Sequence, residues 1–221
     1  MKRIIIVFLT LVLVLMPLTV SALPSETDSG IFYSIENGEV TVEGFNYAGT
    51  VLDIPDKIEG YPVKYIADQA CRGNYGITEL RLPASIVSIG EYSFAECENL
   101  TKVVMKGGQT VGYSAFRGCK ALTSLTLPEG LTLIDDSAFE GCVMLGKVKM
   151  PKSLKTIGVD AFAGCGRLRF DANGNAVVKE YAEQYSIPTS FFDTWEFRLI
   201  LIGICSAAVL AVLIPVMATM Y

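Results

Sequence analysis

The side chains that most often carry out chemistry in proteins are scarce in this sequence. Its 221 residues include no histidine, which excludes a Ser-His-Asp triad, a Cys-His pair, a histidine general base and a zinc site with histidine ligands. The adjacent carboxylates Asp135 and Asp136 could share acid–base work only within a pocket, and the sequence around them indicates none. We therefore predict no enzyme activity, no catalytic residue, no metal site and no cofactor.

Six cysteines are the other reactive groups, and the spacing of four of them indicates structure rather than chemistry. Cys97, Cys119, Cys142 and Cys165 are 22, 23 and 23 positions apart. Five segments align at this period, and we number them turn segments 1 to 5: Ile66–Asn74, Ile89–Cys97, Val111–Cys119, Ile134–Cys142 and Ile157–Cys165. Such a period is typical of a solenoid, in which no single coil can bury its apolar side alone.

A short run of alternating apolar and polar residues follows each of the first four turn segments, which predicts a strand with one buried face. Pro83, Pro128 and Pro151 close three of these strands. The predicted inward residues are Leu80 and Leu82, Val103 and Met105, Leu125 and Leu127, and Val148 and Met150. The turn segments would place two columns of side chains inside: Phe94, Phe116, Phe139 and Phe162 in one, and Cys97, Cys119, Cys142 and Cys165 in the other. Turn segment 1 departs from both columns, because Cys71 stands at the phenylalanine position and Asn74 at the cysteine position.

We expect the cysteines of the column to be buried free thiols. Neighbouring coils stack about 4.8 Å apart, which is wider than the usual Cβ separation of a disulfide. Thiols that run in a line also do not converge on a metal ion. Cys71 fills a core position and Cys205 lies in the apolar C-terminal run. Disulfides, the usual interpretation of six cysteines in an exported chain, are the alternative.

The pattern L-x-x-L-x-L-P followed by I-G-x-x-A-F-x-G-C resembles the BspA-type bacterial leucine-rich repeat over about residues 31–188. The predicted fold class is therefore an α/β-type repeat solenoid of short parallel β-strands and turns. The resemblance implies an N-terminal capping segment at residues 31–65, with a β-hairpin around Asn37-Gly38 and a first strand near Leu52. It implies repeats at residues 66–170 and a C-terminal cap with a short helix at residues 171–189.

The apolar excess of this sequence, which is 51% hydrophobic, lies at its two ends. Lys2 and Arg3 precede an apolar run that ends in Val20-Ser21-Ala22, which predicts a secretory signal peptide at residues 1–22, with an uncleaved anchor as the alternative. Residues 199–220 carry no charge and are long enough to cross a bilayer, so we predict a transmembrane helix behind a stem at residues 190–198. A lipid-anchor signal is the alternative for a eukaryotic source. These ends predict a single-pass protein of the cell membrane, with its ectodomain on the extracellular side at the cell surface.

The formal net charge is −5, which gives no reason to expect a nucleic-acid partner. Cations nevertheless occupy the outward strand positions, and we predict a basic, ligand-binding strand face that includes Arg81, Lys102, Lys147 and Lys149. Carboxylates of the turn segments and their flanks would form an acidic opposite face: Asp68, Glu91, Glu96, Glu98, Asp135, Asp136, Glu140 and Asp160. The alternative is that both sets of charges are merely solvated.

The resemblance implies attachment to host extracellular-matrix proteins, to other cells or to surfaces. We therefore predict a non-enzymatic, membrane-anchored surface protein that mediates protein binding or adhesion, with host matrix or surface proteins as partners. The alternative is a structural envelope scaffold that packs against other envelope proteins. Five strands of about 15 Å give a face of roughly 360 Å², whereas a stable interface needs about 800 Å² per partner. Binding would then involve the caps or depend on many copies at the surface.

Overall fold

The structure is a computed structural model, and it describes residues 25–27, 30–46 and 49–189. The predicted signal peptide at residues 1–22, stem at 190–198 and transmembrane helix at 199–220 lie outside the described residues, as does Cys205. Among the residues that are described, no helix has the length and apolar character needed to span a membrane.

The N-terminal end of the solenoid is an antiparallel meander. It consists of β1 (Ser25–Glu26), β2 (Ile31–Glu36) and β3 (Glu39–Phe45). The expected hairpin between β2 and β3 is present, and both of its turn residues, Asn37 and Gly38, have positive φ. That combination defines the turn type whose twist matches two antiparallel strands. Val40 and Val42 of β3 are fully buried and face the first coil.

The coils that follow contribute strands alternately to two sides of the solenoid. In chain order these strands are β4 (Val51–Asp53), β5 (Lys57–Ile58), β6 (Tyr61–Ile66), β7 (Glu79–Leu82), β8 (Ser88–Ile89), β9 (Lys102–Met105), β10 (Thr110–Val111), β11 (Ser124–Thr126), β12 (Leu133–Ile134), β13 (Lys147–Lys149), β14 (Thr156–Ile157) and β15 (Arg169–Asp171). The strands β3, β6, β8, β10, β12 and β14 form one continuous parallel sheet, and β5 pairs with β6. The predicted parallel-strand repeat solenoid is confirmed.

The other side of the solenoid carries what we call the strand face, the outward surface of β4, β7, β9, β11, β13 and β15. Its backbone pairing is interrupted once, because β4, β7, β9 and β11 form one parallel sheet and β13 and β15 form another. Threonine hydroxyls support the first sheet: Thr101 Oγ1 donates to the Thr78 carbonyl at 2.9 Å, and Thr123 Oγ1 donates to the Thr101 carbonyl at 3.2 Å. Gly146 takes the threonine position in the next coil, so this hydrogen-bond series ends where the sheet is interrupted.

The inward strand residues form the core as predicted, with one weak point. Leu80, Val103 and Val148 are fully buried, and Leu125 is 7% exposed. Leu127 is only partly buried, and it follows β11 directly beside the interruption of the sheet.

The predicted column of phenylalanines is confirmed. The rings of Phe94, Phe116, Phe139 and Phe162 stack nearly parallel, with successive centroids 5.4, 5.2 and 5.1 Å apart. Cys71 is too small to continue the column in turn segment 1, and Phe45 of β3 instead approaches Phe94 at 6.4 Å with a tilted ring. Stacked aromatic pairs each stabilise a fold by about 0.5–1.5 kcal/mol beyond their buried area.

The cysteine column is held by hydrogen bonds to the backbone. Each thiol donates to the carbonyl at the phenylalanine position of the preceding coil, at 3.2–3.3 Å: Cys97 to Cys71, Cys119 to Phe94, Cys142 to Phe116 and Cys165 to Phe139. The five described cysteines are free thiols, four of them buried and one, Cys165, partly exposed. Hydrogen bonding to Cys119 and Cys165, together with burial, raises the pKa of Cys142 well above its usual range.

The C-terminal cap covers the last coil with one helix, α1 (Ala176–Gln184). Asn175 begins this helix, because its side-chain oxygen accepts the backbone N–H groups of Val177 and Val178. The amide group of the same side chain donates to the Leu154 carbonyl at 2.8 Å, which ties the helix to the preceding coil. Val178, Tyr181 and Ala182 form the buried side of the helix, and burial raises the pKa of Tyr181 to about 12.

Two positions of every turn segment adopt left-handed backbone conformations. The second of these is glycine in four segments, with φ between 69° and 76°, whereas turn segment 2 has Glu96 there at φ 62°. A side chain in this region costs about 1 kcal/mol relative to glycine. The backbone cost at Glu96 is partly offset by the exposed ion pair of this residue with Arg72 at 2.8 Å, which contributes about 0.5 kcal/mol or less.

We expect Glu96→Gly to raise the free energy of unfolding by about 0.5 kcal/mol or more, because the relief of backbone strain exceeds the lost ion pair. Gly141→Ala is the matched control at the equivalent position of turn segment 4. It should lower the free energy of unfolding by about 1 kcal/mol, because alanine is unfavourable at a positive φ. Steric clash adds nothing, since the added Cβ would lie 3.7–3.8 Å from its nearest neighbours, which is ordinary van der Waals contact. Urea denaturation of both variants measures these changes, and a destabilised Glu96→Gly variant would contradict the strain argument.

We expect iodoacetamide to modify Cys165 at least ten times faster than Cys119 or Cys142 in the folded, unreduced chain, because only Cys165 is partly exposed. Peptide mass spectrometry measures the rate at each position. In urea the five described cysteines should react at similar rates. Failure of the unfolded, unreduced chain to react would show that the column is oxidised.

Candidate binding surface

The strand face presents its side chains in rows along the solenoid, because alternate residues of each strand point outward. Strand pairing places Glu79 beside Val51 and Lys102, and Arg81 beside Asp53 and Val104. The outward positions of the six strands are Val51 and Asp53, Glu79 and Arg81, Lys102 and Val104, Ser124 and Thr126, Lys147 and Lys149, and Arg169 and Asp171. All four residues predicted for ligand binding therefore lie on one surface.

The N-terminal half of the strand face is neutralised by its own carboxylates. Glu79 Oε1 lies 2.9 Å from Arg81 Nε and 3.0 Å from Lys102 Nζ, and Arg81 also reaches Asp53 at 3.4 Å. Hydrogen bonds from Arg81 and then Lys102 lower the pKa of Glu79, and the bond to Glu79 raises the pKa of Arg81. Two of the four predicted cations are therefore already engaged by neighbouring strands.

The C-terminal half keeps more of its positive charge. Lys147 is 3.9 Å from Asp171, a loose and exposed ion pair. Lys149 is exposed and forms no ion pair with any residue that the structure describes. Arg169 stands directly beside Lys147 in the strand pairing, so two cations are neighbours there. The sequence did not predict Arg169 on this face, because its coil is one residue shorter than the others. Leu145 lies two residues before Lys147, whereas Leu168 directly precedes Arg169.

Much of the predicted acidic turn side is also paired internally. Glu96 binds Arg72, Glu98 binds Lys120 at 2.7 Å, and Glu140 binds Arg117 at 3.3 Å. Two other carboxylates act as links between coils. Asp68 accepts the N–H of Glu91 and Asp136 accepts the N–H of Val159, each at 2.7 Å.

The Asp135-Asp136 pair thus has a structural role. Asp135 Oδ1 accepts the N–H of Asp136 at 2.8 Å, and Asp136 extends to the next coil as described above. The close approach explains Gly158, where a Cβ would lie 2.3 Å from the Asp136 backbone nitrogen. Both carboxylates are therefore engaged in holding backbone rather than facing a reactive pocket.

An aromatic and cationic cluster on the turn side was not predicted. The guanidinium of Arg72 lies over the ring of Tyr92 at 5.3 Å, and Tyr92 meets Tyr113 edge to face at 5.2 Å. Tyr92 and Tyr113 hold the fourth and third positions of turn segments 2 and 3, whereas Arg72 holds the seventh position of turn segment 1. The contacts were missed because they connect residues 20 or 21 positions apart, which no local pattern reports.

The described residues thus present rows of charged and aromatic side chains on the outside of the coils. No group of three or more potential metal-ligating side chains occurs within residues 25–27, 30–46 and 49–189. The interior of the coils is filled by stacked rings, aliphatic side chains and thiols.

Comparison with known families and structures gives a consistent result. The model of the BspA type leucine rich repeat region matches the chain in six copies over residues 63–184, one copy more than the turn segments that align in the sequence. A search of the curated proteins finds no match.

Two solved bacterial proteins share the fold. The leucine-rich repeat protein of T. pallidum is 27% identical with a TM-score of 0.63, and the match covers 66% of this chain and 71% of that one. A leucine-rich repeat protein from Bacteroides ovatus is 31% identical with a TM-score of 0.58. That match covers 65% of this chain and 40% of the other, so this chain spans less than half the length of the second relative.

Proposed function

The chain belongs to the BspA-type leucine-rich repeat family, and from that premise we propose that it is a non-enzymatic surface protein that binds other proteins through its strand face. Leucine-rich repeat proteins in general are scaffolds for protein binding. The observation that carries the proposal is the contrast between a filled interior and a regular, charged outer face. Catalysis would need converging reactive groups, whereas the described residues offer rows of side chains.

The C-terminal half of the strand face is the proposed contact surface. Lys147, Lys149 and Arg169 present cations there, while Glu79 and Asp53 together already neutralise Arg81 and Lys102 in the other half. A partner with an acidic surface would gain most over the C-terminal half. The proposed partners are host matrix proteins or proteins of other cells and envelopes.

The size of the face sets the strength of this binding. Six strands about 4.8 Å apart and about 12 Å long give roughly 350 Å², which is less than half of the area that each side of a stable interface buries. We propose that single molecules bind weakly and that many anchored copies bind together. The predicted signal peptide and transmembrane helix support such a display at the cell surface.

Removing both lysines of β13 tests the contact surface. We expect Lys147→Gln with Lys149→Gln to reduce capture of protein-coated beads by immobilised extracellular-matrix proteins at least tenfold, with a weaker salt dependence, because two exposed cations are lost. Glu79→Gln with Lys102→Gln is the matched control. It removes an ion pair from the same face without changing net charge and should alter capture less than threefold. Equal losses in both variants, or none in either, would refute the assignment.

The surface location has its own test. We expect trypsin added to intact bacterial cells that express the full chain to degrade the repeat domain, while a cytoplasmic marker protein stays intact. Resistance until the cells are lysed would contradict the proposed location. Cross-linking of the protected domain to envelope proteins, with no capture by matrix proteins, would instead support the envelope-scaffold function.

A further inference from the structure

Three backbone hydrogen bonds join each turn segment to the next one, and the donors of these three bonds lie in the earlier coil. In turn segments 1 to 4, three alternate N–H groups donate to carbonyls of the following coil. The last of the three bonds in each segment are Gly73 to Ala95, Glu96 to Arg117, Gly118 to Glu140 and Gly141 to Ala163, at 2.7–2.8 Å. In the part of the chain that the structure describes, no coil follows turn segment 5, so its three equivalent donors need acceptors from elsewhere.

The cap satisfies two of these three donors with tyrosine hydroxyls from its helix and the residue after it. The Asp160 N–H donates to Tyr185 Oη at 3.2 Å, and the Phe162 N–H donates to Tyr181 Oη at 3.3 Å. The third donor, the Gly164 N–H, has no acceptor among the residues that the structure describes. Within the described residues, the series of hydrogen bonds therefore ends in one open donor, the Gly164 N–H.

That open donor borders a cleft of ≈ 410 Å³ between the last coil and the cap. Phe162 and Leu168, each 3% exposed, form its apolar floor. Ile187 and Pro188 line the opposite wall, and no charged residue lines the cleft. The cleft thus combines apolar surface with an unused backbone donor.

Positive charge lies beside the floor of the cleft. Arg167 stands between Gly166 and Leu168, which both line the cleft, and it is exposed and forms no ion pair with another described residue. No carboxylate lines the cleft to offset this charge. A ligand that carries negative charge next to an apolar group is therefore complementary to this end of the solenoid.

We propose that this cleft binds an extended peptide segment of a partner protein, one that carries an apolar side chain beside an acidic residue. A peptide carbonyl is the fitting acceptor for Gly164, because peptide carbonyls accept from the equivalent N–H in every preceding coil. The apolar side chain lies on Phe162 and Leu168, and the carboxylate faces Arg167. The site is separate from the strand face and does not rest on the proposed function.

The test uses the full chain in lipid nanodiscs, labelled with ¹⁵N-glycine, and the peptide acetyl-Ala-Phe-Ala-Asp-amide. The Gly164 signal is assigned as the one that disappears in Gly164→Ala. We expect the peptide to move the Gly164 amide proton downfield in a saturable way, with a dissociation constant of about 1 mM or lower. Arg167→Glu should weaken binding at least fivefold. Lys155→Glu, an exposed lysine elsewhere, is the matched control and should leave binding unchanged.

Three results would overturn the proposal. Equal binding of acetyl-Ala-Phe-Ala-Lys-amide, or an unaffected Arg167→Glu variant, would show that the cleft does not recognise an acidic residue. Absence of any shift of the Gly164 signal would show that the cleft does not bind the peptide. A Gly164 amide that is already hydrogen-bonded without peptide, shown by a small temperature coefficient, would mean that the chain's own residues fill the cleft.

Discussion

The spacing of successive coils is the constraint on which the rest of this structure depends. Backbone hydrogen bonds between parallel strands hold neighbouring coils about 4.8 Å apart. Rings that recur once per coil must then stack, and the centroids of Phe116 and Phe139 are 5.2 Å apart. The same spacing brings each thiol of the column within 3.2–3.3 Å of a carbonyl of the preceding coil. Cysteine suits this position because it is small, apolar and still a weak donor.

A core built this way leaves function to the outside of the molecule. The interior positions are fixed by contacts with the coils on either side, so they have little freedom to acquire reactive groups. The outward positions are free to vary, and they differ between the two halves of the strand face. Glu79 draws Arg81 and Lys102 into one network, whereas Lys149 is exposed and forms no ion pair with another described residue. The distribution of charge along the face, rather than its total, therefore decides where an acidic partner would bind.

The sequence predicted those parts of the fold that repeat. Phe94, Phe116, Phe139 and Phe162 occupy one position of the period, and each makes the same contact in its coil, so spacing alone identifies the column. The ion pairs could not be predicted from the repeat, because each depends on which side chain one particular neighbour carries. The partner of Lys102, for example, is Glu79, which lies 23 positions away in the sequence. The tyrosine acceptors of the cap were missed for a similar reason, since they act once, where the repeat has ended. The interruption of the sheet at Gly146 is likewise a local exception within a regular pattern.

That interruption has a mechanical consequence. Across it, the two parts of the solenoid are joined by the pairing of β12 with β14, by the turn-segment hydrogen bonds and by the stacking of Phe116 on Phe139, but not by the strand-face sheet. Load applied along the solenoid axis is then carried on one side more than on the other at this point. A bending force would open the strand face there first, while the turn side acts as the hinge. The interruption is therefore the position at which the solenoid should bend most easily.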